Sequence, residues 1–121
     1  MSEREHALRE QPVLSREWNE GACVVRLGGE LDLYNAETVR KALFEVCSDG
    51  TERVVVDLSE VEFVDSTALG VLIEARSRLG NGNGFILAAP ALETRRALEI
   101  SGLIRYFSVH QTVPEALAAA V

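Results

Sequence analysis

From Val13 to Trp18 apolar and polar residues alternate, the mark of a half-exposed strand. Asn19-Glu20-Gly21 supplies turn residues. Ala22 to Leu27 reads as a second strand with Cys23, Val25 and Leu27 on one side, so the pair forms a hairpin that Gly28-Gly29 ends. The period then changes. Val39, Ala42, Leu43, Val46 and Cys47 recur at helical spacing behind Asn35, whose short side chain suits a helix N-cap, and Ser48-Asp49-Gly50 stops the helix. Arg53 to Leu58 carries the β-branched run Val54-Val55-Val56, apolar on both sides, as in a strand covered on both faces.

Asp65 or Ser66 opens the next helix. Its buried stripe is expected at Leu69, Leu72, Ile73 and Leu79, which leaves Thr67, Gly70, Val71, Glu74 and Arg78 pointing outward. Gly80 to Gly84 breaks the chain, and Phe85 to Ala89 is a further apolar strand. Pro90 suits the first turn of a helix reaching about Ser101, with Gly102 as its C-cap. Tyr106 to Val109 reads as a short strand, and Thr112 with Glu115 forms a capping-box pattern before an alanine-rich helix from Pro114 to about Ala120. The order is β-β-α-β-α-β-α-β-α. Alternation after the hairpin predicts an α/β fold with right-handed crossovers. The sheet of about five strands should be mixed but mostly parallel, with an antiparallel edge and helices mainly on one face.

Composition narrows what such a fold can do here. The 121 residues suit one domain, expected over 11–121 behind a polar tail at 1–10. Twelve Lys and Arg against nineteen Asp and Glu give a net charge of −7. With no basic cluster, nucleic acid and anionic membrane surfaces are excluded as expected partners. The first ten residues lack an apolar core and no run approaches membrane-spanning length, so a cytoplasmic protein is expected. Cys23 and Cys47 fall in apolar positions without metal or redox spacing and read as buried small hydrophobes.

Catalytic signatures are missing. His6 and His110 have no cue tying either to Ser66, and no Gly-x-Ser-x-Gly elbow occurs. The glycine-rich stretch follows a helix and precedes a strand, the reverse of a dinucleotide fingerprint. Asp57, Glu60, Glu62 and Asp65 crowd together without calcium-loop spacing and read as acidic loop residues. No enzyme, cofactor, metal or small-molecule substrate is expected.

One segment remains. Ser66 lies at a helix start, where open N–H groups can donate to a capping oxygen or to an added phosphate and the positive end of the helix dipole favours negative charge. Thr67, Gly70 and Val71, small or apolar on a face expected to be solvated, suggest a docking surface beside it.

Asp65-Ser66-Thr67-Ala68-Leu69-Gly70 resembles the Asp-Ser-Ser-Gly-Leu-Gly signature of bacterial STAS-domain anti-sigma factor antagonists. Gly29-Glu30-Leu31-Asp32 resembles the family's motif before the first helix, Val56-Asp57-Leu58-Ser59 its third strand, and Ser101-Gly102-Leu103 the end of its third helix. The resemblance implies a non-catalytic protein that binds an anti-sigma factor while unphosphorylated and so frees a sigma factor. It implies that this anti-sigma factor is also a serine kinase, which phosphorylates Ser66 and ends the complex, and that a serine phosphatase resets the switch. It puts Asp32 near the partner surface beside Ser66. With the outward face of the Ser66 helix and the corner before the first helix, the expected partner surface comprises Asp32, Tyr34, Asn35, Asp65, Ser66, Thr67, Gly70, Val71 and Glu74. Thr67 stands where the signature has a second serine and is the alternative acceptor; Ala68 stands where it has glycine. The alternative role for the same fold is a scaffold subunit of a lipid-transport or stress-sensing assembly.

Overall fold

A computed structural model describes residues 11–48, 50–80 and 82–119. The polar tail expected at 1–10 lies outside the described residues. Five strands form one sheet in the order β1-β2-β3-β4-β5: β1 Val13–Asn19, β2 Ala22–Leu31, β3 Arg53–Val64, β4 Phe85–Ala88 and β5 Ser108–His110. β1 pairs antiparallel with β2, from Val13↔Leu27 to Asn19↔Ala22, and every later pairing is parallel. The helices are α1 Ala36–Ser48, α2 Ser66–Arg78, α3 Leu92–Ile100, α4 Leu103–Tyr106 and α5 Val113–Ala118. The expected α/β class and mixed, mostly parallel sheet are present.

Alternation along the central strands divides the core in two. Cys23, Val25, Leu27, Val54, Val56, Leu58, Phe85 and Leu87 face one layer with the buried stripes of α1 and α2 and with Leu98 of α3. Val24, Val55, Ile86 and Ala88 face the other way and meet Ala116 of α5. The helices thus lie mainly on one face, and the short C-terminal helix covers part of the second. Val39, Ala42, Leu43, Val46 and Cys47 are all buried in α1, as its spacing requires. Thr112 caps α5 by accepting from the Glu115 N–H at 3.1 Å.

Several boundaries differ from the sequence pattern. β2 does not stop at Gly28-Gly29 but runs on to Leu31. At Gly28 the Leu14 side chain lies close over the strand where β1 is irregular: a Cβ there would come within 2.7 Å of it and push that exposed side chain aside. β3 continues past Leu58 to Val64, paired with β2 alone; Val61 and Val64 are buried there, while Ser59, Glu60, Glu62 and Phe63 are exposed. The helix expected from Pro90 starts at Leu92, and Gly102 at φ 80° turns the chain into the extra short helix α4. β5 accordingly begins at Ser108 rather than Tyr106.

Ala89, between β4 and Pro90, holds φ 54°. An L-residue with a Cβ is strained there by about 1–2 kcal/mol. Ala89→Gly should therefore raise the unfolding free energy by about 1 kcal/mol, read from the midpoint of urea denaturation. An unchanged or lowered midpoint would contradict a strained alanine.

Candidate functional site

Where β2 and β3 end side by side, Leu31↔Val64, the chain makes two exits: the 32–35 loop into α1, and Asp65 into α2. Asp65 joins them. Its backbone is extended, one carboxylate oxygen accepts from the Ala68 N–H at 2.9 Å, and the other accepts from the Leu33 N–H at 3.0 Å. Its own N–H donates to the Leu31 carbonyl at 3.1 Å. One short side chain thus caps α2 and fastens the neighbouring loop to it.

The loop is tied internally as well. Asp32 Oδ1 accepts from the Tyr34 N–H at 3.0 Å, Asn35 Oδ1 accepts from the Asp32 N–H at 2.9 Å, and Asn35 Nδ2 donates to the Glu30 carbonyl at 2.7 Å. Asn35 is only 7% exposed. Its expected place at a partner surface is therefore corrected: it precedes α1 as predicted, but its polar atoms turn inward to hold the loop.

With Asp65 in the capping position, Ser66 is the first residue of α2. Its side chain is exposed and has no hydrogen bond among the described residues. Thr67 beside it is exposed too. Gly70 lies one turn further, and an added Cβ would meet nothing within 4 Å. The fold does not require that glycine. Gly70→Ala should stabilise the protein by about 0.5–1 kcal/mol through helix propensity, measurable as a raised denaturation midpoint. A fall would mean that the space above Gly70 is filled.

Val71 is not part of this outer surface. It is 1% exposed and belongs to the main core, so the outward assignment is overturned. The buried stripe of α2 is Ala68, Leu69, Val71, Leu72 and Ala75, while Ile73 and Leu79 are only partly covered. Small alanines fill the closest approach to the sheet. A stripe drawn through the larger residues alone is rotated away from it. Glu74 does face outward, and its carboxylate accepts from Arg40 of α1 at 3.1 Å.

Three large residues complete this surface, and only Tyr34 among them is expected there from the sequence. Tyr34 is 92% exposed, Leu33 66% and Phe63 51%. Leu33 and Tyr34 sit on the loop fastened by Asp65, and Phe63 lies two residues before Asp65 at the end of β3. Exposed apolar side chains beside an unbonded hydroxyl at a helix start favour protein contact. Acidic groups border them: Asp32, Asp65 and Glu62.

Among the described residues no cluster of His, Cys, Asp and Glu could hold a metal ion. His110 contacts Ser108 on β5 at 3.4 Å, not Ser66. Cys23 and Cys47 are buried, unpaired thiols. Burial, reinforced by Cys23 and opposed by Arg78, pushes the Cys47 thiol up to about 11, which keeps it protonated and inert at neutral pH. No helix among the described residues is long and apolar enough to cross a membrane.

Comparison with known proteins follows the same outline. The family model for the STAS domain matches residues 14–116. The anti-sigma-F factor antagonist RsfB of Mycobacterium tuberculosis is 35% identical over 97 residues, covering 80% of each chain. The crystal structure of an anti-sigma factor antagonist from Mycobacterium paratuberculosis is 34% identical, with a TM-score of 0.79 over 85% of this chain and 88% of that one. The Bacillus cell fate determinant SpoIIAA in its phosphorylated form is 25% identical, with a TM-score of 0.64 over 85% of this chain and 95% of that one.

Proposed function

This chain belongs to the STAS domain family, and from that membership we propose that it is an anti-sigma factor antagonist switched by phosphorylation of Ser66. It acts by binding, not catalysis. Unphosphorylated, it docks on an anti-sigma factor through the start of α2 and the Leu33–Tyr34 loop and so releases a sigma factor in the cytoplasm. The anti-sigma factor is also the serine kinase that modifies Ser66, and a serine phosphatase restores the docking form. Relatives named as anti-sigma factor antagonists support the binding role, and a phosphorylated fold relative supports the idea that a phosphoprotein of this shape stays folded.

The observation that carries the switch is the division of labour at α2. Asp65 takes the cap, which leaves the Ser66 hydroxyl exposed and unbonded. A phosphate there adds about −1.5 to −2 charges at the positive end of the helix, where the fold tolerates it. The same charge lands amid the exposed apolar side chains of the docking surface, where it must be desolvated for binding. Thr67 is exposed alongside and is the second acceptor to examine.

The test is capture from the native cell with the chain as bait, with and without ATP, followed by mass mapping of modified residues. The expected result is an anti-sigma factor retained without ATP and lost with it, together with phosphate on Ser66. Phosphate on Thr67 alone would move the switch by one residue. Capture of a membrane transporter subunit instead would replace this reading with the scaffold role.

A further inference from the structure

The second face of the sheet is covered on one side only. α5 packs on β3, β4 and β5, where Val55, Ile86 and Ala88 meet Ala116. Between α5 and β1 lies an open cleft of about 450 Å³. Val113 and Leu117 of α5 form one wall, and Val24 of β2 is part of the floor. Glu17 of β1, directly opposite Val24 in the strand pairing, lines the other side. Arg26 and Asp57, partners across β2 and β3, bring the remaining charges to the cleft.

These polar groups are poorly satisfied by the chain itself. Asp57 is only 7% exposed. Its Oδ1 accepts from the Ser59 N–H at 3.0 Å, but Oδ2 meets only Arg26 Nε, at 3.5 Å. Arg26 also stands 3.8 Å from Glu60, and its guanidinium makes no hydrogen bond among the described residues. The Glu17 carboxylate meets no cation among them either. A buried carboxylate oxygen left with one long ion pair calls for a further donor, and the cleft is where that donor can sit. The lining therefore asks for a cation beside Asp57, an anion beside Arg26, and an apolar body over Val24. Because Arg26 and Asp57 are immediate neighbours, the two ionic groups must be close together, as they are across the single α-carbon of an amino acid. We infer that this cleft binds a free aliphatic α-amino acid. Its ammonium donates to Asp57 Oδ2 and Glu17, its carboxylate accepts from the forked Arg26 guanidinium, and its side chain lies against Val24, Val113 and Leu117. The lining holds no serine, cysteine or histidine, so the amino acid is an effector and not a substrate. Ser66 begins a helix of the opposite layer, and the inference does not depend on its role.

The probe is L-leucine, titrated into the isotope-labelled full chain and followed by amide chemical shifts and by the thermal midpoint, which a ligand of the folded state raises. Its counterparts are 3-methylbutylamine, which lacks the carboxylate, 4-methylpentanoate, which lacks the ammonium, and glycine, which lacks the side chain. The expected result is saturable shifts at residues 17–19, 24–26, 57 and 113–117 with leucine, and binding about tenfold or more weaker for each counterpart. Arg26→Gln should bind leucine and 3-methylbutylamine alike, because the carboxylate then has no guanidinium to meet. No saturation at millimolar leucine, equal binding of any counterpart to the unaltered chain, or shifts confined to other surfaces would each overturn the proposal. If Arg26→Gln fails to fold, the four-ligand comparison on the unaltered chain decides it.

Discussion

Ser66→Asp is expected to weaken binding to the anti-sigma factor by about tenfold or more while the thermal midpoint holds or rises slightly. Stability is protected because Ser66 is not the cap. Asp65 retains its bonds to the Ala68 and Leu33 N–H groups, so the new carboxylate only joins the first turn of α2. A negative side chain there is favourable by about 0.3–1 kcal/mol, set against screened repulsion from Asp32 and Asp65. Binding suffers because the new charge enters the proposed docking surface, where Leu33, on the loop fastened to Asp65, and its neighbour Tyr34 are exposed apolar groups. Burying that charge against groups arranged for a hydroxyl costs a few kcal/mol, and about 1.4 kcal/mol is a tenfold loss of affinity. Ser66→Ala should cost almost nothing in stability, since its hydroxyl makes no bond among the described residues. It should bind as the unaltered chain does and persist in the complex when ATP is added. Calorimetric titration beside thermal melting of the three proteins measures both effects. Tight binding by Ser66→Asp, with ATP still dissociating Ser66→Ala, would remove the switch from Ser66.

Much of this arrangement is legible in the pattern of residues alone, and what is not has a physical reason. The stripe of α1 and the runs Val54-Val55-Val56 and Phe85 to Ala88 announce themselves because buried faces must be apolar at the period of their element. Asp65 and Ser66 are legible as a helix start, although only the geometry shows that the aspartate takes the cap. The outer halves of β2 and β3 are hidden because only single residues there, Leu31, Val61 and Val64, join the core, and two register breaks between the strands spoil any regular period. Ser59-Glu60-Val61-Glu62-Phe63 is as polar as a loop, and only a distant partner strand makes it extended. Helix α4 is hidden for a similar reason: Gly102 looks like an end, and the turn that follows is set by packing of Leu103 and Ile104 on the core. Leu33 and Phe63 carry a faint signal, large apolar residues with no periodic companion amid polar neighbours. Val71 shows the reverse error. A small β-branched residue beside Gly70 looks like surface when the alanines that define the buried stripe are passed over.

Val71→Arg is accordingly expected to destroy the fold rather than the interface. Val71 is 1% exposed and packs in the main core together with Leu69, Leu72 and Ala75. Arginine in its place must either bury an unpaired guanidinium or force α2 off the sheet. An uncompensated buried charge costs several kcal/mol, and forcing extra bulk into a packed core adds about 1–3 kcal/mol. A domain of this size has only about 5–15 kcal/mol to lose, so the variant should melt far below the unaltered chain or fail to accumulate as folded protein. Thr67→Arg is the matched comparison: it places the same side chain four residues earlier on the exposed face of the same helix. That variant should melt within about 0.5 kcal/mol of the unaltered protein, as exposed substitutions do, yet bind the anti-sigma factor weakly because bulk and charge enter the docking surface. Circular dichroism melting and binding measurements on the pair separate the two effects. Normal melting of Val71→Arg would place Val71 on the outside of α2, and with it the docking surface would turn by about a quarter of the helix circumference.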